Sequence, residues 1–182
     1  MATVIQQRKL DKAFNHLDAD RSGYVEEQDL TDLGLRLLAN FGVTHEDPKA
    51  RRIADGFSTF WVALAEALDA DGDRRLSPQE YADGMIDAFA QGDGAFDRHF
   101  RPGAIAVLEL ADTDDDGFVN PAEFAVMQRA FGTPEDEIGF AFDQLDTDRD
   151  GRLSVDEMIV AVEQFYIGAD ENAVGNWFFG RY

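Results

Sequence analysis

Residues 112–123, with the sequence DTDDDGFVNPAE, carry five acidic side chains around one glycine. Asp112, Asp114, Asp116 and Glu123 stand at the first, third, fifth and twelfth positions of this segment. Carboxylates at these intervals can converge on one point as the chain turns, and a hard divalent cation such as Ca²⁺ takes about six to eight oxygen ligands. The segment is therefore predicted to bind a metal ion through oxygen atoms.

The same pattern occurs four times, in loops that begin at Asp18, Asp69, Asp112 and Asp146. All four match the EF-hand calcium loop, in which positions 1, 3, 5 and 12 offer side-chain oxygens and position 7 offers a backbone carbonyl. The predicted ligand set, with Tyr24, Arg75, Phe118 and Arg152 contributing carbonyls, is Asp18, Asp20, Ser22, Tyr24, Asp29, Asp69, Asp71, Asp73, Arg75, Glu80, Asp112, Asp114, Asp116, Phe118, Glu123, Asp146, Asp148, Asp150, Arg152 and Glu157. We expect these residues to bind Ca²⁺.

Loops one and two depart from this pattern. Loop one, residues 18–29, ends in Asp29 instead of Glu, and the shorter acid favours weaker calcium binding or the smaller Mg²⁺ ion. Loop two, residues 69–80, has Gly72 at position 4 and Arg74 at position 6, where a positive φ costs an arginine about 1 kcal/mol. We expect both loops to bind metal, although the alternative that either binds none stays open.

Each loop lies between segments in which apolar residues have helical spacing. The predicted helices are 6–17, 28–40, 53–68, 79–89, 103–111, 122–131, 134–145 and 155–166. Loop position 9 is also a helix N-cap, as in Asn120-Pro-Ala-Glu123, where a capping side chain is followed by Pro and then Glu. Position 8 is aliphatic in all four loops and is expected to pair with its neighbour across each loop pair.

The repeats predict an all-α fold of four EF-hand units in two paired lobes, packed together as one compact globule. The N-terminal pair is expected in residues 1–92 and the C-terminal pair, with a packed tail, in residues 93–182, with AQGDGAFD at 90–97 between them. Apolar residues make up 45% of the chain and include 15 Phe, which is enough for a sizeable core. Trp61 and Trp177 are expected between the lobes or beneath the tail.

The composition limits the kinds of partner and the cellular compartment that we expect. A formal net charge of -21 disfavours nucleic acid and anionic membranes and attracts cations. The absence of cysteine excludes disulfides, zinc thiolate sites and thiol catalysis. No signal peptide is evident, and apolar runs such as FWVALA are too short to span a bilayer. We expect a cytoplasmic monomer without a membrane span, and no particular protein target is indicated.

The loops contain 19 of the 37 acidic residues. Four bound calcium ions would bring the formal charge to about -13. Because clustered carboxylates repel one another without metal, we expect a loosened metal-free state that tightens on binding.

The chain resembles the sarcoplasmic calcium-binding protein and calerythrin-like group of EF-hand proteins, which includes bacterial members. The resemblance depends on the four loops, on an extended connection within the first pair, and on the tail GADENAVGNWFFG at 168–180, which ends in an aromatic pair. It implies a compact fold that buffers Ca²⁺, and sometimes Mg²⁺, more than it signals.

Three functions are compared. A calcium buffer is favoured because the chain is rich in Phe, whereas a sensor typically exposes a Met-rich groove. A sensor that regulates a partner is the alternative. An enzyme or a calcium-triggered photoprotein is disfavoured, because the three histidines are scattered and no P-loop, H-E-x-x-H or G-x-S-x-G motif is present. We therefore expect no catalytic activity. Apart from the initiator, the methionines are Met85, Met127 and Met158.

Overall fold

The computed structural model describes residues 3–89 and 94–181. The fold is helical, as predicted, with helices α1 Val4–Leu17, α2 Glu27–Asn40, α3 Pro48–Leu68, α4 Pro78–Phe89, α5 Ala95–His99, α6 Arg101–Ala111, α7 Pro121–Phe131, α8 Glu135–Leu145 and α9 Val155–Tyr166. Two short strands, β1 Phe118–Val119 and β2 Leu153–Ser154, and a 3₁₀ helix, Val174–Trp177, complete these elements. Within this part of the chain, no helix is both long enough and apolar enough to cross a membrane.

The helices that flank the loops begin and end close to the predicted residues, with one larger difference. α3 begins at Pro48, five residues before the predicted start, because the Asp47 side chain accepts a hydrogen bond from Lys49 N at 2.7 Å and caps the helix. The extended connection in the first pair is correspondingly shorter. α5 was not predicted and occupies part of 90–97; residues 90–93, and with them the predicted boundary at 92/93, lie outside the described residues.

The loops are joined in pairs by main-chain hydrogen bonds at position 8. Val25 and Leu76 form an antiparallel bridge with both N–O distances at 2.9 Å. In the other pair β1 and β2 run antiparallel, with Val119 opposite Leu153. All four position 8 side chains are fully buried. The bridges therefore fix the spacing of paired loops and anchor each pair in the core.

Helices from both halves of the chain contribute to one continuous hydrophobic core. α3 and α6 approach closely at Gly56 and Gly103, where a Cβ added to Gly56 would lie 3.0 Å from the Gly103 Cα. Beside this crossing the Phe100 ring contacts Phe60 at 4.4 Å and Tyr166 at 5.2 Å between ring centres. A side chain at Gly56 would press on the Gly103 backbone, so close backbone contact and aromatic packing together hold the halves of the chain.

The tail packs against the helices through its aromatic pair and its backbone. Phe178 and Phe179 are buried, and the Gln128 amide donates to the Phe178 carbonyl at 2.9 Å. Trp177 lies within the tail itself, against the Phe140 ring on α8, rather than beneath the tail. Trp61 is 1% exposed and belongs to the core.

A buried lysine connects the first helix to the tail. Lys9 Nζ donates to Gln164 O at 2.6 Å, to Gly168 O at 2.8 Å and to Asn176 Oδ1 at 2.8 Å. These acceptors include carbonyls at the end of α9, where a positive charge is favourable. Burial lowers the pKa of Lys9 to about 8. Lys9 therefore holds α1, α9 and the tail together with three hydrogen bonds.

Candidate metal sites

All four loops share a backbone conformation at positions 4 and 6. Both positions have positive φ in every loop, and in each loop one of the two is glycine: Arg21 60°, Gly23 88°, Gly72 78°, Arg74 63°, Asp115 56°, Gly117 86°, Arg149 61° and Gly151 86°. In loop two the glycine and the other residue have exchanged places. Loop two therefore contains no more strained residues than its neighbours, and Arg74 does not prevent the turn.

The carboxylate at position 1 is held by backbone N–H groups of its own loop. In loop three, Asp112 accepts from Asp116 N at 3.0 Å and from Gly117 N at 2.9 Å. Loops one and four repeat these two bonds from positions 5 and 6. In loop two, Asp69 instead accepts from Gly72 N at position 4, at 2.8 Å, and from Arg74 N at position 6, at 2.9 Å. The exchanged glycine therefore changes one hydrogen bond but leaves the position 1 carboxylate fixed.

Three carboxylates of each loop place oxygen atoms within 4.8 Å of one another. Loops two and four bring together positions 1, 3 and 5, whereas loops one and three bring together positions 1, 3 and 12. The groups are Asp18, Asp20 and Asp29; Asp69, Asp71 and Asp73; Asp112, Asp114 and Glu123; Asp146, Asp148 and Asp150. Of the predicted carboxylate ligands, Glu80, Asp116 and Glu157 lie outside these groups. The Ser22 hydroxyl lies 3.4 Å from Asp18 Oδ1.

The acid at position 12 accepts from the backbone N–H of position 9 in every loop, and its other partners differ between loops. In loop two the Glu80 Oε2 atom accepts from the Ser77 hydroxyl at 2.7 Å, and Glu157 in loop four accepts from Ser154 in the same way at 2.8 Å. Glu123 accepts from the Thr113 hydroxyl at 2.5 Å. Because the bond from the position 9 N–H caps the exiting helix, position 12 links the metal site to the helix that follows it.

Environment shifts the pKa of several of these acids. Burial, reinforced by Asp20 and Asp18, raises the pKa of Asp29 to about 6. Hydrogen bonds from Ser77 lower the pKa of Glu80. Desolvation and the adjacent Asp116 charge raise the pKa of Asp114. Crowded carboxylates of this kind favour a bound cation, which would remove their mutual repulsion.

A lysine that the loop pattern does not indicate contacts loop three from the other loop pair. Lys49 Nζ, near the start of α3, donates to the Asp112 carbonyl at 2.9 Å and to Asp115 Oδ1 at 3.1 Å. The contact joins residues 63 positions apart in the chain, so no local pattern could have indicated it. Lys49 offsets part of the negative charge of loop three without contacting its position 3, 5 or 12 carboxylates.

The donor set in each loop fits a hard divalent cation. The grouped ligand atoms are all carboxylate oxygens, which Ca²⁺ and Mg²⁺ prefer over nitrogen or sulfur. Calcium tolerates variable coordination number and geometry, whereas Mg²⁺ demands a tighter octahedral site. A bound ion would supply charge neutralisation and a fixed point that ties the entering helix to the exiting helix.

Comparison with known proteins agrees with this geometry. Residues 104–162 match the model of the EF-hand domain pair. The chain is 29% identical over 171 residues to calerythrin of Saccharopolyspora erythraea, covering 92% of this chain and 96% of that protein. It is 31% identical to a calcium-binding protein of Streptomyces coelicolor solved as a basis for prokaryotic calcium-mediated regulation; 91% of this chain and 99% of that chain align, with a TM-score of 0.81.

A third match extends the similarity of the fold. The sarcoplasmic calcium-binding protein of amphioxus aligns over 100% of both chains with a TM-score of 0.77, at 15% sequence identity. At that identity the match shows that the helical arrangement is shared.

Proposed function

Because the chain belongs to the EF-hand superfamily, within the calerythrin-like and sarcoplasmic calcium-binding protein group, we propose that it acts mainly as a calcium buffer. Members of this family bind Ca²⁺ and are not enzymes, and the same holds for this chain. Membership of the family does not decide whether the protein only stores calcium or also regulates a partner protein when calcium binds.

The core packing is the observation that favours buffering. Sensors expose an apolar, Met-rich groove when calcium binds. Here Met85, Met127 and Met158 are all fully buried within the continuous core. The tail places Phe178 and Phe179 into the same core. Opening a groove would require separating the tail and both loop pairs, which would expose a large apolar area at a high cost in free energy.

We propose that metal binds in all four loops through the predicted ligand set. Loops three and four have the full pattern, and the backbone of loop two supports binding despite Arg74. Loop one is proposed to accept Mg²⁺ as well as Ca²⁺, because the short Asp29 side chain joins Asp18 and Asp20 in one close group. These assignments deserve a direct test with both ions.

The same proposal covers organisation and compartment. We propose two loop pairs, divided near 92/93, that behave as one body because they share a core. We further propose that the protein is a cytoplasmic monomer; the absence of cysteine agrees with a reducing compartment.

A calcium sensor is the second candidate. It is supported by the Streptomyces coelicolor relative, whose structure was described in terms of calcium-mediated regulation. A sensor would require an apolar surface that appears only in the calcium-bound form.

Two measurements test these proposals: the first counts the filled loops, and the second separates a buffer from a sensor. Calorimetric titration with Ca²⁺ and Mg²⁺, on the wild type and on Glu80→Gln, counts the filled loops; one site fewer in the variant would establish binding in loop two. An apolar fluorescent dye then reports exposed surface with all sites filled. An unchanged dye signal supports buffering, whereas a strong calcium-dependent increase would favour the sensor.

A further inference from the structure

Both loop pairs contain the same contact between an arginine and an aromatic ring. The Arg75 guanidinium lies 5.0 Å from the centre of the Tyr24 ring, and that of Arg152 lies 3.9 Å from the centre of the Phe118 ring. In each case the arginine is at position 7 of the second loop and the ring is at position 7 of the first. The contact therefore repeats with the internal symmetry of the molecule.

Each of these arginines also contacts a predicted metal ligand in its own loop. Arg75 Nε is 3.4 Å from Asp73 Oδ2, and Arg152 Nε donates to Asp150 Oδ2 at 3.0 Å. Both aspartates are at position 5 and belong to the close carboxylate groups. One guanidinium thus connects the ring of one loop with a ligand of the paired loop.

The guanidinium and a metal ion are alternative cationic partners for the position 5 carboxylate. Two positive charges on one carboxylate repel each other, so a calcium ion on Asp150 favours movement of the guanidinium away from it. In loop four the guanidinium already lies over the Phe118 ring while it bonds Asp150 through Nε. Because the ring face attracts a cation, the guanidinium keeps a partner when its bond to the carboxylate is broken. The contact with the ring should therefore make it easier for calcium to take the carboxylate.

We propose that Arg75 and Arg152 are positioning residues that hold the position 5 carboxylate of loops two and four and yield it to calcium while staying on the ring of the paired loop. Through this exchange, the ring in loop one or three tunes calcium affinity in loop two or four. The inference rests on the proposed function, since it concerns the same calcium loops.

The C-terminal pair offers the sharper test, because its contacts are shorter. Arg152→Met is compared with Arg149→Met, an exposed residue of the same loop, so that both variants lose one positive charge. Arg152→Met should raise calcium affinity in loop four about two- to five-fold beyond Arg149→Met. Phe118→Leu should lower it about two-fold in the wild-type background and leave it unchanged in the Arg152→Met background.

The readout is loop-specific. The Gly151 amide donates to Asp146, so its NMR resonance reports loop four during a calcium titration. A second signal, the Arg152 Nε–H resonance, is followed with EDTA and then with calcium. In EDTA we expect the chemical shift of a hydrogen-bonded Nε–H. With calcium the Nε–H should no longer be hydrogen-bonded to Asp150, but its resonance should keep the ring-current shift caused by Phe118.

The outcomes separate this inference from the proposed function. If Arg152→Met and Arg149→Met have the same calcium affinity in loop four, or if the Arg152 Nε–H resonance does not change with calcium, the inference is wrong. The proposal that the loops bind calcium would be unaffected. If the Gly151 resonance of the wild type does not respond to calcium, both the inference and the assignment of loop four are overturned. Opposite signs for Arg152→Met and Phe118→Leu support the exchange, because a purely structural role would make both changes harmful.

Discussion

The N-terminal loop pair departs from the calcium-loop pattern at Asp29 and Arg74, whereas the C-terminal pair, 112–123 and 146–157, follows it throughout. The backbone does not share this difference. Positive φ occurs at positions 4 and 6 in both pairs, and position 8 is joined by main-chain hydrogen bonds in both. The loop conformation thus tolerates exchange of glycine, so the pairs should differ in side-chain ligands far more than in backbone strain.

The largest expected difference between the pairs lies at position 12. Glu123→Gln removes a carboxylate long enough to offer two oxygens and should weaken calcium binding in loop three on the order of 100-fold. Asp29→Asn removes a shorter acid and should weaken loop one by only about tenfold. Calorimetry, combined with the amide resonances of Gly117 and Gly23, resolves the two loops.

The control is Glu171→Gln, which removes the same charge from an exposed position in the tail. This variant should not measurably change the calcium affinity of loop one or loop three. Equal losses in loops one and three would show that Asp29 binds the ion as fully as a glutamate, and the contrast between the pairs would then fail.

The two loop pairs can be compared as parts of one body only if the contacts between the chain ends hold them together. A substitution at Lys9 tests those contacts. Lys9→Met removes a donor from three acceptors, of which the Gln164 carbonyl keeps its bond from Gly168 N, and should lower the free energy of unfolding by about 2–3 kcal/mol. Urea unfolding of the calcium-bound protein measures this, with the exposed neighbour Arg8→Met as the control, expected within about 0.5 kcal/mol of wild type.

Lys9 also predicts a dependence on pH. Its pKa is about 8 in the folded chain and near 10.5 in the unfolded chain. Between these values the unfolded state binds the additional proton, so the Lys9 contribution to stability rises with pH from about 8 to 10.5 and is flat below 8. Arg8→Met should keep this rise, and Lys9→Met should show a smaller one, because burial also lowers the pKa of Lys12. Identical pH profiles would contradict the shifted pKa of Lys9.

The contrast between local and distant residues explains what the sequence could predict. The four loops, their capping residues and the helices were predictable because their signals lie within about twelve residues of one another. The Lys9 contact spans 155 positions and the Lys49 contact spans 63, so folding alone brings them together. The early start of α3 depends on the Asp47 cap, which apolar spacing does not indicate.

A smaller effect tests the exchange of glycine in loop two. Arg74→Gly and Arg149→Gly each relieve a residue at positive φ, one in each pair, and each should stabilise the protein by about 0.5–1 kcal/mol. Thermal unfolding with saturating calcium measures both. If Arg74→Gly stabilised the protein much more than Arg149→Gly, loop two would carry extra strain and the two pairs would differ in backbone as well as in ligands.

The smallest expected effect comes from making loop one resemble the C-terminal loops. Asp29→Glu adds one methylene, which lets the carboxylate bind calcium through both oxygens and should raise calcium affinity in loop one about three-fold while weakening Mg²⁺ binding. Asp32→Glu, an exposed residue on α2, adds the same methylene outside the loop and is the matched control. Calcium titrations with and without Mg²⁺, followed at the Gly23 amide, give the ratio of the two affinities. Because Gly23 N donates to Asp18 in the same carboxylate group, its resonance follows this loop directly. A ratio that stays the same, or that changes equally in Asp32→Glu, would mean that the length of the position 12 acid does not explain why the two pairs differ.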